Sequence, residues 1–345
     1  MKILVGLSWG VDSAIAAYLL KQQGHEVVAG FMKNYTSEGG NCTTYNDSIE
    51  AIKVAEFLKI KILAFDFQKE YQERIIDYIY DWYKRGITPN PDVLCNSLIK
   101  FDVFLEKALE QGFDKIATGH YAMIEEKNNI YNLKRWVDHN KDQSYFLAWL
   151  NQFQLSHSLF PIWGLTKPEV RDLAKEVGLP NAERRDSQGL CFIWNVPIKN
   201  FLMDKFPVKK WKIKTLDWTI VWEHDWAYFF TIWQKHWLGL NFKAYVYRID
   251  IENNIVYVCD KEADELYSEN LIVKDWHWIN EEYETWSLLT WKIRYRQNPP
   301  VECEILEKSG AELKIWFKEK QRAVAPWQVF VLYDWEICLW CWIIS

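Results

Sequence analysis

The sequence predicts an α/β N-terminal domain with a doubly wound parallel sheet, followed by a small β-rich middle domain and a C-terminal β-barrel or sandwich. Three observations carry that prediction. From residue 1 to about 195, short apolar runs alternate with amphipathic segments of helical period, the pattern of parallel strands covered by helices on both faces. After about Pro197 the runs become short, alternating and separated by polar turns, as in 244–250 and 255–259. In residues 2–22, KILVGLSWGVDSAIAAYLLKQ, a β-prone run enters a loop of small and polar residues and an amphipathic helix leaves it.

The elements follow in order. Strands are expected over 2–5, 26–31, 61–65 and 115–117, and helices over 12–23, 46–58, 69–84 and 99–112. In such a sheet ligands bind beyond the carboxyl ends of the strands, where the loop of Gly6, Ser8, Gly10, Asp12 and Ser13 lies. This loop aims unpaired backbone N–H groups and small hydroxyls at one point, at the positive end of the following helix, which suits an anion such as phosphate. The expected ligand is a nucleotide. Neither the Walker pattern nor a complete Gly-x-Gly-x-x-Gly is present. The change of pattern divides the chain into 1–196, 197–262 and 263–345, with no fixed-period repeat.

A chain of 345 residues with 49% hydrophobic content has room for two or three domains with real cores. Asp12 interrupts the apolar start, and no run approaches the roughly 18 apolar residues of a membrane span. A soluble, cytoplasmic protein with no membrane partner is expected. Seven cysteines, at 42, 95, 191, 259, 303, 338 and 341, do not form a disulfide framework and imply free thiols in a reducing compartment. A net charge of −6 argues against a large nonspecific nucleic-acid binder. Local basic surface remains available at Lys209, Lys210, Lys212 and Lys214, at Arg294 and Arg296, and at Lys318, Lys320 and Arg322.

Two cysteines have distinctive settings. Cys95 follows Thr88-Pro89-Asn90-Pro91-Asp92, whose prolines predict a stiff, exposed loop rather than regular helix. Cys191 follows the turn of Asp186-Ser187-Gln188-Gly189-Leu190. Two loop thiols can act as an attacking and a resolving pair, although a single cysteine is more often an inert buried thiol. Cys338-x-x-Cys341 has metal or redox spacing, but it lies in an apolar strand-like tail without further ligands and reads as core.

Taken together these segments resemble the tRNA-specific 2-thiouridylases of the MnmA type, over nearly the whole chain. Ser8-x-Gly10-Val11-Asp12-Ser13 resembles the SGGxDS pyrophosphate loop of enzymes that split ATP between its α and β phosphates. The other matching segments are residues 86–96, Ala117-Thr118-Gly119-His120-Tyr121-Ala122, residues 141–147, residues 186–193, and Arg322-Ala323-Val324-Ala325-Pro326. The resemblance implies a pyrophosphate-loop ATPase domain, a small β-rich central domain and a C-terminal β-barrel that contacts tRNA. The implied reaction is adenylation of the O2 carbonyl oxygen of the wobble uridine by ATP, with Mg²⁺, followed by sulfur transfer from a cysteine persulfide.

The resemblance also assigns residues. Asp12 and the two cysteines are catalytic, Cys191 carrying the persulfide and Cys95 acting as the partner nucleophile. ATP is expected on Gly6, Leu7, Ser8, Trp9, Gly10, Val11, Asp12 and Ser13, with Met32 for the adenine and Gly119. Asn90, Pro91 and Asp92 face the target base; His120, Lys141, Asp142, Gln143, Arg294, Tyr295 and Gln328 touch tRNA. No dedicated protein cage for a metal is implied. The implied partners are tRNA and a sulfur-donor protein, either a persulfide relay or a cysteine desulfurase, with a monomer around one tRNA.

Tryptophan is the departure. There are 21 Trp against 14 Gly. The family pattern has glycine at Trp9, Trp194, Trp233, Trp237, Trp327, Trp340 and Trp342, and turn chemistry expects it after Asp217, Asp225 and Asp334, where Trp218, Trp226 and Trp335 stand. Trp9 must turn its indole out to solvent or compromise ATP binding, and Trp194 threatens the placement of Cys191. Two other readings therefore stay open: an ATP-dependent amidotransferase or ligase with the same loop, and a tRNA-binding chain made inactive by these replacements.

Overall fold

The computed structural model describes residues 1–345 except 36–42, 138–140, 185–188, 191–192, 195–197, 204, 207, 237, 275–276, 280–287, 296, 298, 310–311, 326–327 and 345. Cys191, Arg296, Trp237 and Trp327 lie outside the described residues. So do the side chains of Trp194 and Trp342.

The N-terminal sheet contains β1 (Lys2–Gly6), β2 (Glu26–Lys33), β3 (Lys61–Asp66), β4 (Lys115–Ala117) and, beyond a hairpin of β5 (Met123–Lys127) and β6 (Ile130–Lys134), β7 (Ser158–Leu159). Its order is β3-β2-β1-β4-β7 and every pair is parallel. β1 is buried on both sides, as a central parallel strand must be. Ile3 and Val5 pack with Ala14, Ala17, Val170 and Ala174 of the helices Val11–Gln22 and Lys167–Val177. Leu4, one position out of phase, joins Phe104 and Ile116 on the opposite face. The strand order reverses between β1 and β4, later strands being added on one side of β1 and then on the other, so the crevice there opens beside the residue 8–13 loop.

The expected strands and helices are present, with two informative differences. The proline-rich segment is not a stiff exposed loop: Pro91–Cys95 is helical and runs into a π-helical stretch, Asn96–Val103, and then into Phe104–Glu110. Pro91 stands in the first turn, where its missing N–H has no intrahelical partner to lose. β7 has two residues, too few to show a period in sequence.

The middle unit is a four-stranded sheet in the order Ile220–His224, Trp211–Lys214, Ile255–Cys259, Tyr245–Asp250. Around Val246, Val256 and Val258 it holds its own apolar core. The last unit is antiparallel from Tyr267–Lys274 to Ile337–Ile343, and a bridge between Val273 and Ile344 brings its first strand back to its last, closing a barrel. The β5–β6 hairpin of the first unit extends this sheet, with Leu133 opposite Cys338 and Lys134 opposite Ile337. Cys338 and Cys341 are buried there, and burial pushes both thiols above their ordinary range, as suits core residues.

Among the described residues, three tryptophans occupy glycine-like backbone. Trp218, Trp233 and Trp335 have φ of 67°, 73° and 53°, the left-handed region that costs a side chain about 1–2 kcal/mol. Trp226 does not, with φ −174° and its ring stacked on Tyr228 at 5.1 Å. Trp335 is 88% exposed, so its side chain gains little packing to offset the strain. Trp335→Gly should raise stability by about 1 kcal/mol and Trp226→Gly should lower it. Calorimetric unfolding midpoints of the two variants would check this, and a lower midpoint for Trp335→Gly would contradict it.

Candidate active site

The loop between β1 and the first helix is folded on its own hydroxyls. Ser8 N–H donates to Ser13 Oγ at 3.2 Å, the two hydroxyls are 3.1 Å apart, and Ser13 Oγ donates to Gly10 O at 3.0 Å. Gly10 caps the helix in extended conformation with no side-chain cap. The first-turn N–H groups of Val11, Asp12 and Ser13 therefore have no capping side chain and carry the positive end of the helix dipole. Leu7 N–H is tied to Gly30 O at 2.9 Å, which fixes the loop on β2. The methyl of Met32, near the carboxyl end of β2, lies over Gly6: a Cβ on Gly6 would stand 3.3 Å from it.

The loop after β4 closes onto this helix start. A Cβ at Gly119 would lie 2.6 Å from both the carbonyl carbon of Asp12 and the amide nitrogen of Ser13. Only glycine permits that approach, because the obstructing atoms are backbone. Two residues later Tyr121 donates its hydroxyl to Asp12 Oδ1 at 2.6 Å. Lys167, at the start of its helix and 8% exposed, donates to both Asp12 oxygens at 2.7 and 2.9 Å. The Asp12 carboxylate is thus fixed at the mouth of the loop by one cation and one phenol. Trp9 does not turn out to solvent: it is half-buried, Arg184 lies 4.1 Å over its ring, and its carbonyl accepts from Asn181 Nδ2 at 3.1 Å.

A second feature forms where the three units meet. A cavity of about 600 Å³ is lined by residues 85–92 of the first unit, by Thr231, Ile232 and Ile249 of the middle unit, and by Ile293, Arg294, Tyr295, Ala325, Gln328 and Val329 of the barrel. Thr88 and Thr231 join hydroxyls at 2.8 Å across one wall. Gln328 Oε1 is buried there without a hydrogen-bond partner, an acceptor that a buried ligand donor would satisfy. Phe146 and Tyr295 pack at 4.6 Å and supply an aromatic wall.

The structure brings together Asn90, Pro91, Asp92, Arg294, Tyr295 and Gln328 in this cavity, and Gly6, Leu7, Ser8, Trp9, Gly10, Val11, Asp12, Ser13, Met32 and Gly119 around the loop. Other expected residues stand elsewhere. His120 is 9% exposed, its ring 5.8 Å from those of Phe101 and Phe160 and its Nδ1 2.7 Å from Thr118 Oγ1. Burial, with Lys100 adding to it, holds its pKa well below the ordinary value. A neutral, enclosed ring is a core histidine and does not present itself to a polyanion. Asp142 is 1% exposed, so its carboxylate is not a surface contact either: it takes 3.1 Å from Lys292 Nζ and 3.3 Å from Arg135 Nε. Gln143 accepts from Tyr121 N–H at 2.9 Å, while Lys141 stays part-exposed. Cys95 is 0% exposed within the main core, the reverse of the exposed setting its prolines suggested.

Sequence reasoning missed Lys167, Tyr121 and Asn34. Lys167 sits inside a Thr166/Glu169 capping box, which signals a helix start and hides a functional lysine. Asn34, just beyond Met32, is 2% exposed with both amide atoms unpartnered, and an isolated asparagine after a strand gives no local signal.

A parallel α/β sheet with a hydroxyl-lined anion loop at its switch point, carrying a middle β domain and a barrel, defines a nucleotide-handling enzyme of the pyrophosphate-loop class. Family models agree along the chain: the tRNA methyl transferase HUP domain matches residues 1–195, its PRC-barrel domain 199–260, and the aminomethyltransferase beta-barrel domain 268–344. The tRNA-specific 2-thiouridylase MnmA of Alkaliphilus oremlandii is 41% identical over 98% of this chain and 95% of its own length. That of Pediococcus pentosaceus is 42% identical over 98% and 93%. The chain belongs to the MnmA family of tRNA-specific 2-thiouridylases. Among solved structures, the U34-tRNA thiolase NcsA from Methanococcus maripaludis is 20% identical with a TM-score of 0.36, over 52% of this chain and 57% of that one.

Two outcomes follow from this geometry. Gly119→Ala should destabilise the protein by about 1–3 kcal/mol, since the new methyl meets backbone that cannot turn aside, and a rise in melting temperature would refute the close approach. Because His120 has a folded pKa below its unfolded 6.5, the unfolded chain binds the proton first. Its contribution to stability is therefore present above about pH 6.5 and lost as pH falls toward the folded value. The loss of urea-unfolding stability between pH 7 and pH 5 should be smaller in His120→Gln.

Proposed function

We propose that this protein is an ATP-dependent tRNA 2-thiouridylase that thiolates position 2 of the wobble uridine. The observation that carries the proposal is the three-sided cavity, where Asn90, Pro91 and Asp92 meet Arg294, Tyr295 and Gln328. A volume of about 600 Å³ accommodates an extruded nucleotide. Tyr295 and Phe146 offer stacking surface for the base. Arg294 and Arg85 offer charge to the flanking phosphates. The orphan Gln328 oxygen suits the N3–H of uracil.

ATP is assigned to the residue 6–13 loop, with its phosphates at the first-turn amides and its adenine beside Met32. In the first step the uridine O2 attacks the α-phosphorus, the α–β phosphoanhydride breaks and pyrophosphate leaves. In the second the terminal sulfur of a Cys191 persulfide attacks C2 and AMP departs with the oxygen. Cys95 then attacks the Cys191 sulfur, the S–S bond to the transferred sulfur breaks, and a Cys95–Cys191 disulfide remains for a thiol reductant to open. Cys95 is buried, so this step requires its helix start to open toward the substrate. Among the described residues no group of three or more His, Cys, Asp or Glu is placed to hold a metal. The single Asp12 carboxylate fits a Mg²⁺ held mainly by phosphates, which would neutralise charge on the leaving pyrophosphate. Lys167, already on Asp12, is a cation placed beside the loop for the same charge.

The proposed sulfur donor is a persulfide relay protein or a cysteine desulfurase, and the protein is taken as a cytoplasmic monomer around one tRNA. Among the described residues no helix is long and apolar enough to cross a membrane. Some of the basic residues are engaged locally, Lys212 with Glu223 at 2.8 Å and Lys320 with Asp264 at 3.4 Å, as is Arg85 at the cavity with Asp81 at 2.6 Å. The test is pyrophosphate and AMP release from ATP, with and without a tRNA transcript bearing an unmodified wobble uridine. Release that depends on tRNA is expected, lost in Asp12→Asn; Cys191→Ser should keep pyrophosphate release but form no 2-thiouridine. Turnover supported by ammonia or an amino acid instead of persulfide would replace this reading with a ligase.

A further inference from the structure

One buried hydroxyl joins two barrel segments of the cavity lining to Asn90 of the proline-rich segment. Tyr145 is 3% exposed. Its phenol stands 3.1 Å from Ile293 O and 3.0 Å from Val329 O, and Asn90 Nδ2 donates to the same oxygen at 3.5 Å. Ile293 immediately precedes Arg294, and Val329 immediately follows Gln328. The two carbonyls belong to separate barrel segments, one following the strand Leu288–Lys292 and the other opening Val329–Asp334.

We propose that Tyr145 is the positioning residue of the target-base pocket: its hydroxyl sets the Arg294 and Gln328 segments of the barrel against Asn90 of the N-terminal domain. This rests on the cavity being the uridine site. The hydroxyl has one proton to share between two carbonyls and one lone-pair direction for the Asn90 amide, so its hydrogen-bonding capacity is fully used. Burial raises the phenol well above its ordinary pKa, which keeps the proton on the oxygen as a donor throughout the working range. The neighbouring Ser144 also crosses the interface, to Tyr333 Oη at 3.3 Å, but Tyr333 does not line the cavity. The two residues therefore separate pocket positioning from mere docking of one domain on the other.

The experiment measures binding of two labelled anticodon stem-loop RNAs, identical except for uridine or adenosine at the wobble position, to the full chain and to Tyr145→Phe and Ser144→Ala. ATP binding is followed in parallel. The full chain should prefer the uridine RNA. Tyr145→Phe should lose about tenfold in affinity for the uridine RNA, and with it the preference, while ATP affinity stays within about twofold. Ser144→Ala should keep the preference. Tyr145→Phe discriminating as well as the full chain would overturn the inference. Equal loss in both variants would overturn it too, by assigning the effect to docking alone. A full chain that binds neither RNA, or both alike, would overturn the uridine-site reading itself and the inference with it. Should Tyr145→Phe fold poorly, Asn90→Ala reads the same linkage from its other end, and unchanged discrimination there would again count against it.

Discussion

The buried ion pair between Asp142 and Lys292 is the constraint on which the rest of the assembly depends. Both side chains are fully enclosed, 3.1 Å apart, one from the N-terminal domain and the other from the end of a barrel strand. Burial pushes the Lys292 ammonium down, and Asp142 pulls it back up. Asp142 keeps a second buried cation in Arg135 at 3.3 Å, whereas the enclosed Lys292 ammonium relies on Asp142, so removing the carboxylate would leave a buried charge uncompensated at a cost of about 3–5 kcal/mol. Asp142 also accepts the Trp136 and Ser144 backbone N–H groups at 3.2 and 3.1 Å, so its oxygens are satisfied on several sides. The pair therefore demands one register between the two domains. In that register Ser144, Tyr145 and Phe146 all face barrel residues, and the cavity is formed between them.

Around the anion loop a different constraint operates. The loop after β4 can approach the first helix only because Gly119 has no side chain, and that approach brings Tyr121 to Asp12. The geometry at Asp12 is held by that close approach and by three short polar contacts, above a helix pair whose Ala14, Ala17, Val170 and Ala174 pack in the apolar core. Trp9 enters this arrangement without a left-handed backbone, its indole held under Arg184, which is itself paired with Asp47 at 3.3 Å. Accommodation here contrasts with Trp218, Trp233 and Trp335, where the backbone keeps the left-handed conformation that glycine adopts without cost. The replacements thus divide by backbone: some sit where any side chain fits, others where the fold holds a strained one.

How much of this was legible in the chain depends on the range of the interaction. The alternation of strand and helix, the hydroxyl-rich loop after Val5 and the short alternating strands after Pro197 are local periodicities, so the sequence itself determined the α/β domain, the two β units and the place of the nucleotide loop. The motif residues Asn90, Arg294 and Gln328 could be named from resemblance. Their convergence could not be read, because it runs through hydrogen bonds between positions 148 and 184 apart in the chain. The same holds for burial. A proline-flanked cysteine, a loop histidine and an aspartate beside a lysine all look exposed in sequence. Tertiary packing alone decided that Cys95 and His120 lie in the core and that Asp142 is spent on Lys292, since burial is set by what the rest of the chain places against a residue and not by its neighbours along it.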